Sequence, residues 1–254
     1  MTQSSEFLSI DKITLQYRSE GYLITAVKGV CFSAAKGERL ILLGRSGCGK
    51  STILKAIGGF IKPASGSIRL DGELIQAPSS DRAMVFQEFD QLMPWKTALE
   101  NVAFAIRHAR RLRRKEAADE ARRYLGKVGL EGFAHSYPHQ LSGGMKQRVA
   151  IARALAAQAK ALLMDEPFAA LDALTRSQMQ EELLRLYQEE GFTLVFVTHS
   201  IDEALILGSK IVMLGPHPGE VIETIKLSGA AASDLALKER INAILFKDRV
   251  EYVI

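Results

Sequence analysis

The feature that most constrains this chain is the run Gly44-Arg45-Ser46-Gly47-Cys48-Gly49-Lys50-Ser51-Thr52. It follows an apolar segment, 39–43, that reads as a buried strand, and precedes 53–57, which reads as a helix stopped by Gly58-Gly59. A G-x-x-x-x-G-K-S pattern between a strand and a helix is a phosphate-cradling loop. Its glycines let backbone N–H groups close on phosphate oxygens with no Cβ in the way. The helix that follows offers its N-terminal N–H groups and the positive end of its dipole to the same anion. In that arrangement Lys50 reaches the β and γ phosphates, and the Ser51 hydroxyl binds Mg²⁺. The sequence predicts a protein that binds a nucleoside triphosphate.

Periodicity sorts the remainder. Residues 7–17, and the stretch from the 19–21 turn to Phe32, carry the alternation and β-branched content of strands. Residues 67–72 read as another strand with an Asp-Gly turn, and 83–86 as a second buried strand. From 88 to 160 the chain is rich in Ala, Leu, Arg and Glu, as a helical lobe would be. Buried strands return at 161–164 and 193–197, separated by a helix over 173–190 that Gly191 ends. Ser200-Ile201-Asp202-Glu203 reads as a capping box. Residues 210–214 and 221–224 read as edge strands, and 235–246 as a last helix. Strands alternating with helices imply a parallel sheet covered on both faces. The expected class is α/β: a parallel central sheet, an N-terminal antiparallel β-subdomain, an α-helical subdomain inserted at 88–160, and a helical tail at 226–254, all in one domain spanning 1–254.

Two cysteines, Cys31 and Cys48, give no disulfide framework and fit a reducing, cytoplasmic setting. The opening residues lack the basic-then-apolar pattern of a secretory signal. No apolar run approaches the roughly 20 residues that span a bilayer. A membrane role is therefore expected through a partner. The net charge of +4 does not demand a nucleic acid partner. Basic residues concentrate at Arg107, Arg110, Arg111, Arg113, Arg114 and Lys115, followed by Glu116, Asp119 and Glu120. This run reads as a solvated helix face with i,i+4 pairing.

A second group of residues carries chemistry. The apolar 161–164 strand ends in Asp165 and Glu166, whose side chains point in different directions if the strand alternation continues. That divides labour between a metal-side carboxylate, Asp165, and a general base for water, Glu166. Gln87 lies at the end of a short strand, where its amide can reach metal or water. His199 ends the 193–198 run, on the edge where parallel strands gather ligands; taken alone, a histidine there is more often a packed or capping residue. Ser142-Gly143-Gly144, directly before a helix expected from Met145 to about 157, is a second anion-binding helix start.

These motifs, with Pro167 and the Ala170-Leu171-Asp172 segment, stand in the order and spacing of the ATP-binding-cassette ATPases, which this sequence resembles over nearly its whole length. The resemblance implies a P-loop ATPase core and a head-to-tail homodimer. Each ATP would lie between the 44–52 loop of one copy and Ser142-Gly143-Gly144 of the other. It implies that Tyr17 (or Tyr22) stacks on adenine, that His199 contacts the γ-phosphate, and that Asp172 communicates across the dimer. Met145 and Ala169 depart from the frequent glutamine and serine of the family, and neither change removes a phosphate ligand.

The segments 81–88, 92–97, 100–102 and 167–176 are similar to those of the nitrate/sulfonate/taurine importer group. That resemblance implies integral membrane permease subunits as partners and an external substrate-binding protein acting through them. It also implies a peripheral location on the cytoplasmic face of the cell membrane and no appended regulatory domain. Phe89, Leu92, Pro94 and Trp95 would line a groove for a cytoplasmic helix of the permease. The competing readings are a soluble cassette ATPase serving an assembly task such as iron–sulfur cluster building, against which the 93–95 segment speaks, and a nucleic-acid-linked cassette ATPase. The transported substrate is not readable from this chain.

Overall fold

The computed structural model of the protein describes residues 6–19, 21–87, 91–228 and 231–246. In chain order the elements are β1 (Glu6–Ser19), β2 (Tyr22–Ala35), β3 (Arg39–Gly44), α1 (Lys50–Ile57), β4 (Ser65–Leu70), β5 (Glu73–Leu74) and β6 (Arg82–Val85). Then come α2 (Ala98–Arg110), α3 (Arg114–Lys127), α4 (Gly143–Ala156), β7 (Ala161–Asp165), α5 (Ala173–Glu190) and β8 (Thr193–Thr198). The chain continues through α6 (Ile201–Leu207), β9 (Lys210–Leu214), β10 (Val221–Lys226) and α7 (Leu235–Phe246). It divides into two compact units, Met1–Pro78 with Thr193–Ile254, and Ser79–Phe192.

The first unit contains an antiparallel sheet in the order β2-β1-β4-β5. Its β4–β5 hairpin turns on Asp71 and Gly72, both at positive φ (52° and 80°), the twist that a two-residue hairpin requires. The other strands of this unit follow the order β10-β9-β3-β8. Here β3 runs parallel to both β8 and β9, and β10 is antiparallel to β9. β8 is buried at every position and β3 at all but its first, the uninterrupted apolar reading of strands covered on both faces. β9 is interior rather than the edge strand expected from its sequence, because β3 and β10 flank it; β10, with alternating exposure, is the edge. α7 buries Ile241 and Leu245, one turn apart, and is tied to α6 by Lys238–Asp202 (2.5 Å) and to β10 by Arg240–Glu223.

The second unit pairs β6 with β7 in parallel and carries helices α2 to α5. α5 ends where Gly191, at φ 66°, returns its N–H to the Tyr187 carbonyl (2.9 Å). The basic run is not one helix face. The helix breaks at Arg111 (φ 55°), so the run straddles the turn between α2 and α3. Arg110 accordingly pairs with Glu120 across the two helices (3.1 Å), and Glu120 also receives Arg123, beyond the run, at i,i+3 (2.9 Å). Partly exposed and screened by solvent, such pairs contribute about 1 kcal/mol or less each.

Along the described residues between β6 and α2, side chains take up backbone groups that no sheet ladder satisfies. Asn101, fully buried, does so for 93–97. Its Oδ1 accepts the Met93 N–H (2.9 Å), and its Nδ2 donates to the carbonyls of Met93 (3.2 Å), Lys96 (3.1 Å) and Thr97 (3.0 Å). Thr97 then opens α2 with a complete capping box to Glu100, whose carboxyl is held below its usual range by the Thr97 backbone N–H. Asn101→Leu strands these groups in an apolar setting and should lower the unfolding free energy by about 2–3 kcal/mol, read from urea denaturation.

Candidate nucleotide site

In the first unit the phosphate loop leaves β3 at Gly44 and enters α1 at Lys50, three residues earlier than the helix expected from sequence. The extra turn comes from Gly49, which at φ 92° takes the helix N-cap position. Lys50 and Ser51 are therefore the first two helical residues, with Thr52 the third. Gly47 also has positive φ (81°), and Arg45 and Ser46 are exposed. The Lys50 ammonium, only 4% exposed, donates to the carbonyls of Gly44 (2.9 Å) and Arg45 (3.0 Å), so the loop is curled around its own lysine.

Neighbouring backbone holds that curl. A Cβ on Gly49 would lie 2.4 Å from Val27 Cγ1, and one on Gly44 would lie 2.7 Å from Cys48 Sγ. Gly219, in the turn between β9 and β10, is stitched to β2: its N–H donates to Ala26 O (2.9 Å) and its carbonyl accepts from Lys28 N–H (3.0 Å). A Cβ there would fall 2.0 Å from the Cys48 carbonyl oxygen. Cys48 itself is buried. Arg45 places its guanidinium 6.0 Å from the Phe246 ring of α7.

His199 is exposed between β8 and α6. Tyr17 (48% exposed) faces Ile24 across the β1–β2 hairpin, and Tyr22 (76% exposed) lies at the hairpin's end opposite Ser19; both rings are open to a ligand.

In the second unit β7 stops at Asp165, and Glu166 turns into the left-handed region at φ 42°. The strand therefore ends before Glu166, and the alternation expected to set the two carboxylates apart does not extend to it. A glutamate at positive φ is an uncommon backbone state costing about 1 kcal/mol or more, of the kind held at functional sites. It is fixed by Ala169 N–H on the Glu166 carbonyl (3.2 Å) and by Phe168, fully buried two residues on. Asp172 N-caps α5, its Oδ1 accepting from Thr175 N–H (3.0 Å). That backbone N–H holds the Asp172 carboxyl below its usual range.

α4 begins at Gly143, earlier than the expected Met145, with Ser142 as its exposed N-cap; Ser142 Oγ accepts the Met145 N–H (3.3 Å). A Cβ on Gly144 would lie 3.1 Å from Thr175 Cγ2, so the α4 and α5 starts pack side by side and bring Ser142-Gly143-Gly144 near Asp172.

Gln87 lies two residues beyond β6, exposed on a bend. Gln91 holds that bend: its Oε1 accepts Phe86 N–H (3.1 Å) and its Nε2 donates to Phe86 O (3.0 Å) and to Gln147 Oε1 of α4 (3.4 Å). Arg153, also of α4, donates to the Gln91 carbonyl (2.7 Å), and burial pulls its guanidinium below the usual range. Of the expected groove residues, Leu92 is buried in the core, Pro94 and Trp95 are exposed (Trp95 at 72%), and Phe89 lies outside the described residues. After Trp95 a cavity of about 330 Å³ opens, lined by Lys96, Glu100, Phe104, Arg107, Arg114 and His135. Gln91, Asn101 and Gly219 were not singled out from sequence. A polar amide inside an apolar helical pattern was the only signal for Asn101; the other two had none.

The family model described as "ABC transporter" matches residues 27–169. The taurine import ATP-binding protein of Chromobacterium violaceum is 43% identical over 256 residues, covering 95% of this chain and 97% of that protein. The nitrate import ATP-binding protein of Synechococcus elongatus is 44% identical over 227 residues, covering 87% and 82%. Among solved structures, a dimeric post-hydrolysis state of an ATP-binding cassette bound to ADP and Pi matches with a TM-score of 0.77 at 36% identity, over 87% of this chain and 99% of that one. Among the described residues no helix is long and apolar enough to cross a membrane.

Gly219→Ala should push the Cys48 carbonyl out of place. ATP affinity, measured by titration with a fluorescent analogue, should fall about tenfold, equivalent to about 1.4 kcal/mol, while circular dichroism stays unchanged.

Proposed function

The chain belongs to the ABC transporter family, and from that premise we propose that it is the ATP-hydrolysing subunit of an importer, working as a head-to-tail homodimer on the cytoplasmic face of the cell membrane beneath separate permease subunits. The observation that carries the catalytic part is the loop curled on buried Lys50 at the start of α1. Replacing the Gly44 and Arg45 carbonyls by phosphate oxygens gives Lys50 the stronger, charge-assisted partners. Residues 44–52 bind the phosphates of one ATP, and Ser142-Gly143-Gly144 of the second copy completes the same site. The exposed N-cap of α4 supports this, as does the dimeric form of a similar cassette. Tyr17 stacks on the adenine.

The oxygen donors Ser51, Gln87 and Asp165 suit a hard cation that keeps part of its water, as Mg²⁺ does. Bound with the nucleotide, Mg²⁺ supplies charge neutralisation on the β and γ phosphates. Glu166 takes a proton from the attacking water; the new bond forms at the γ-phosphorus, and the bond to the bridging oxygen breaks to leave ADP and phosphate. His199 donates to the γ-phosphate, and Asp172, at the capped start of α5, transmits occupancy across the dimer.

The import reading rests on the taurine and nitrate importers that the chain resembles, and the cargo is proposed to be a small anion such as nitrate, a sulfonate or taurine. Exposed Pro94 and Trp95, followed by the cationic cavity, offer a seat for a cytoplasmic helix of the permease. An external binding protein acts only through that permease. Nucleic acid is not a proposed partner.

Glu166→Gln should keep ATP affinity, lower kcat by about 100-fold or more, and accumulate an ATP-bound dimer visible by size-exclusion chromatography; normal turnover overturns the base assignment. Lys50→Ala should lose nucleotide affinity, and an unchanged Kd overturns the loop reading. Affinity purification from gently solubilised membranes should bring a multi-spanning permease; recovery of soluble partners or nucleic acid alone overturns the transport role.

A further inference from the structure

The connection from β8 to α6 is two residues long, His199 and Ser200. A plain capping box would have Glu203 accept the Ser200 N–H and Ser200 accept the Glu203 N–H. Only the second half is present, with Ser200 Oγ accepting Glu203 N–H at 3.3 Å. The first half is relayed through the strand's last residue: Ser200 N–H donates to Thr198 Oγ1 (3.0 Å), and the Thr198 hydroxyl donates to Glu203 Oε2 (2.5 Å). The three bonds close a ring, Thr198 to Ser200 to Glu203 and back, and His199 is the residue it encloses. Thr198 is 1% exposed and Glu203 6%, whereas His199 is exposed.

Each member is chemically suited to its place. A hydroxyl is the group that can accept one bond and donate another from a single atom, and the Thr198 oxygen does both. The Glu203 carboxylate is buried, yet it lies in the first turn of α6, where the helix N-terminus favours negative charge, and it receives an ionic hydrogen bond. The ring fixes the backbone on both sides of His199 and leaves its imidazole outside.

We propose that Thr198 and Glu203 are positioning residues for His199, holding the peptide around it so that the imidazole meets the γ-phosphate of bound ATP. This rests on the reading of His199 as the γ-phosphate contact. Neither residue touches nucleotide in this scheme; both act through the turn they close.

The test is a double-mutant cycle on the purified protein, with kcat and KM for ATP and the unfolding temperature measured for each variant. Thr198→Ser keeps the relay and should stay within about twofold of the unmodified protein, whereas Thr198→Val should lower kcat about tenfold with KM for ATP nearly unchanged. Combined with His199→Ala, Thr198→Val should add nothing further to the loss. Multiplying losses, or a lowered unfolding temperature with normal kcat, assigns the ring a merely structural role and overturns the proposal. If His199→Ala itself leaves kcat normal, the γ-phosphate reading fails and takes the proposal with it. If His199→Ala is impaired and the cycle is additive, only the proposal fails. Should Thr198→Val not fold, Glu203→Gln, which keeps an acceptor of the same shape, is compared with Glu203→Met, which keeps none. Retained kcat in the first and loss in the second supports the proposal; equal kcat in both overturns it.

Discussion

An ammonium group taken out of water must find acceptors, and Lys50 finds them in the carbonyls of Gly44 and Arg45, at the other end of its own loop. The rest of the first unit follows from that requirement. The chain can return over Lys50 only by passing through positive φ at Gly47 and Gly49, which glycine does without strain. The same tight path leaves no room for a Cβ where Val27 faces Gly49 or where Gly219 faces the Cys48 carbonyl. β3 supplies the starting carbonyl, β2 one wall, and the β9–β10 turn the other. The buried cation and the glycines are thus one constraint met from several elements.

The second unit solves a different problem by similar means. Its connections carry few ladder hydrogen bonds, and side-chain amides and caps replace them: Gln91 at the Gln87 bend, Asn101 before α2, Thr97, Ser142 and Asp172 at three helix starts. Gln91 and Arg153 also join the Gln87 bend to α4, the helix that Ser142-Gly143-Gly144 opens. A displacement of that helix start therefore bears directly on the bend that carries Gln87.

Much of this was legible in the sequence where one local signal suffices. Continuous apolar runs marked β3, β7 and β8, Asp71-Gly72 marked its hairpin, and the G-x-x-x-x-G-K-S spacing marked the loop. The misreadings share a cause. The apolar pattern of 210–214 reports burial but not the number of flanking strands, so sequence alone makes β9 an edge. The basic run reports polarity but not Arg111 in the left-handed region, so sequence alone merges two helices into one face. Gly219 and Gln91 were invisible because what they meet, Cys48 in one case and Gln147 and Arg153 in the other, lies far away in sequence. Nothing in a window around them records that contact.

The turn at His199 lies between these cases. Ser200-Ile201-Asp202-Glu203 reads as a capping box, of which the structure keeps only the Ser200 half, and Thr198 reads as the end of a β-branched strand, where it lies. What neither reading contains is that one hydroxyl serves both. A β-branched residue favours the extended strand end, and its Oγ1 lies where it can take the Ser200 N–H and give its proton to Glu203. Valine would satisfy the strand alone. Threonine satisfies the strand and closes the turn, so the hydrogen bonds that shape the backbone around His199 all lie within 198–203. Local closure of this kind holds the backbone on both sides of an exposed histidine.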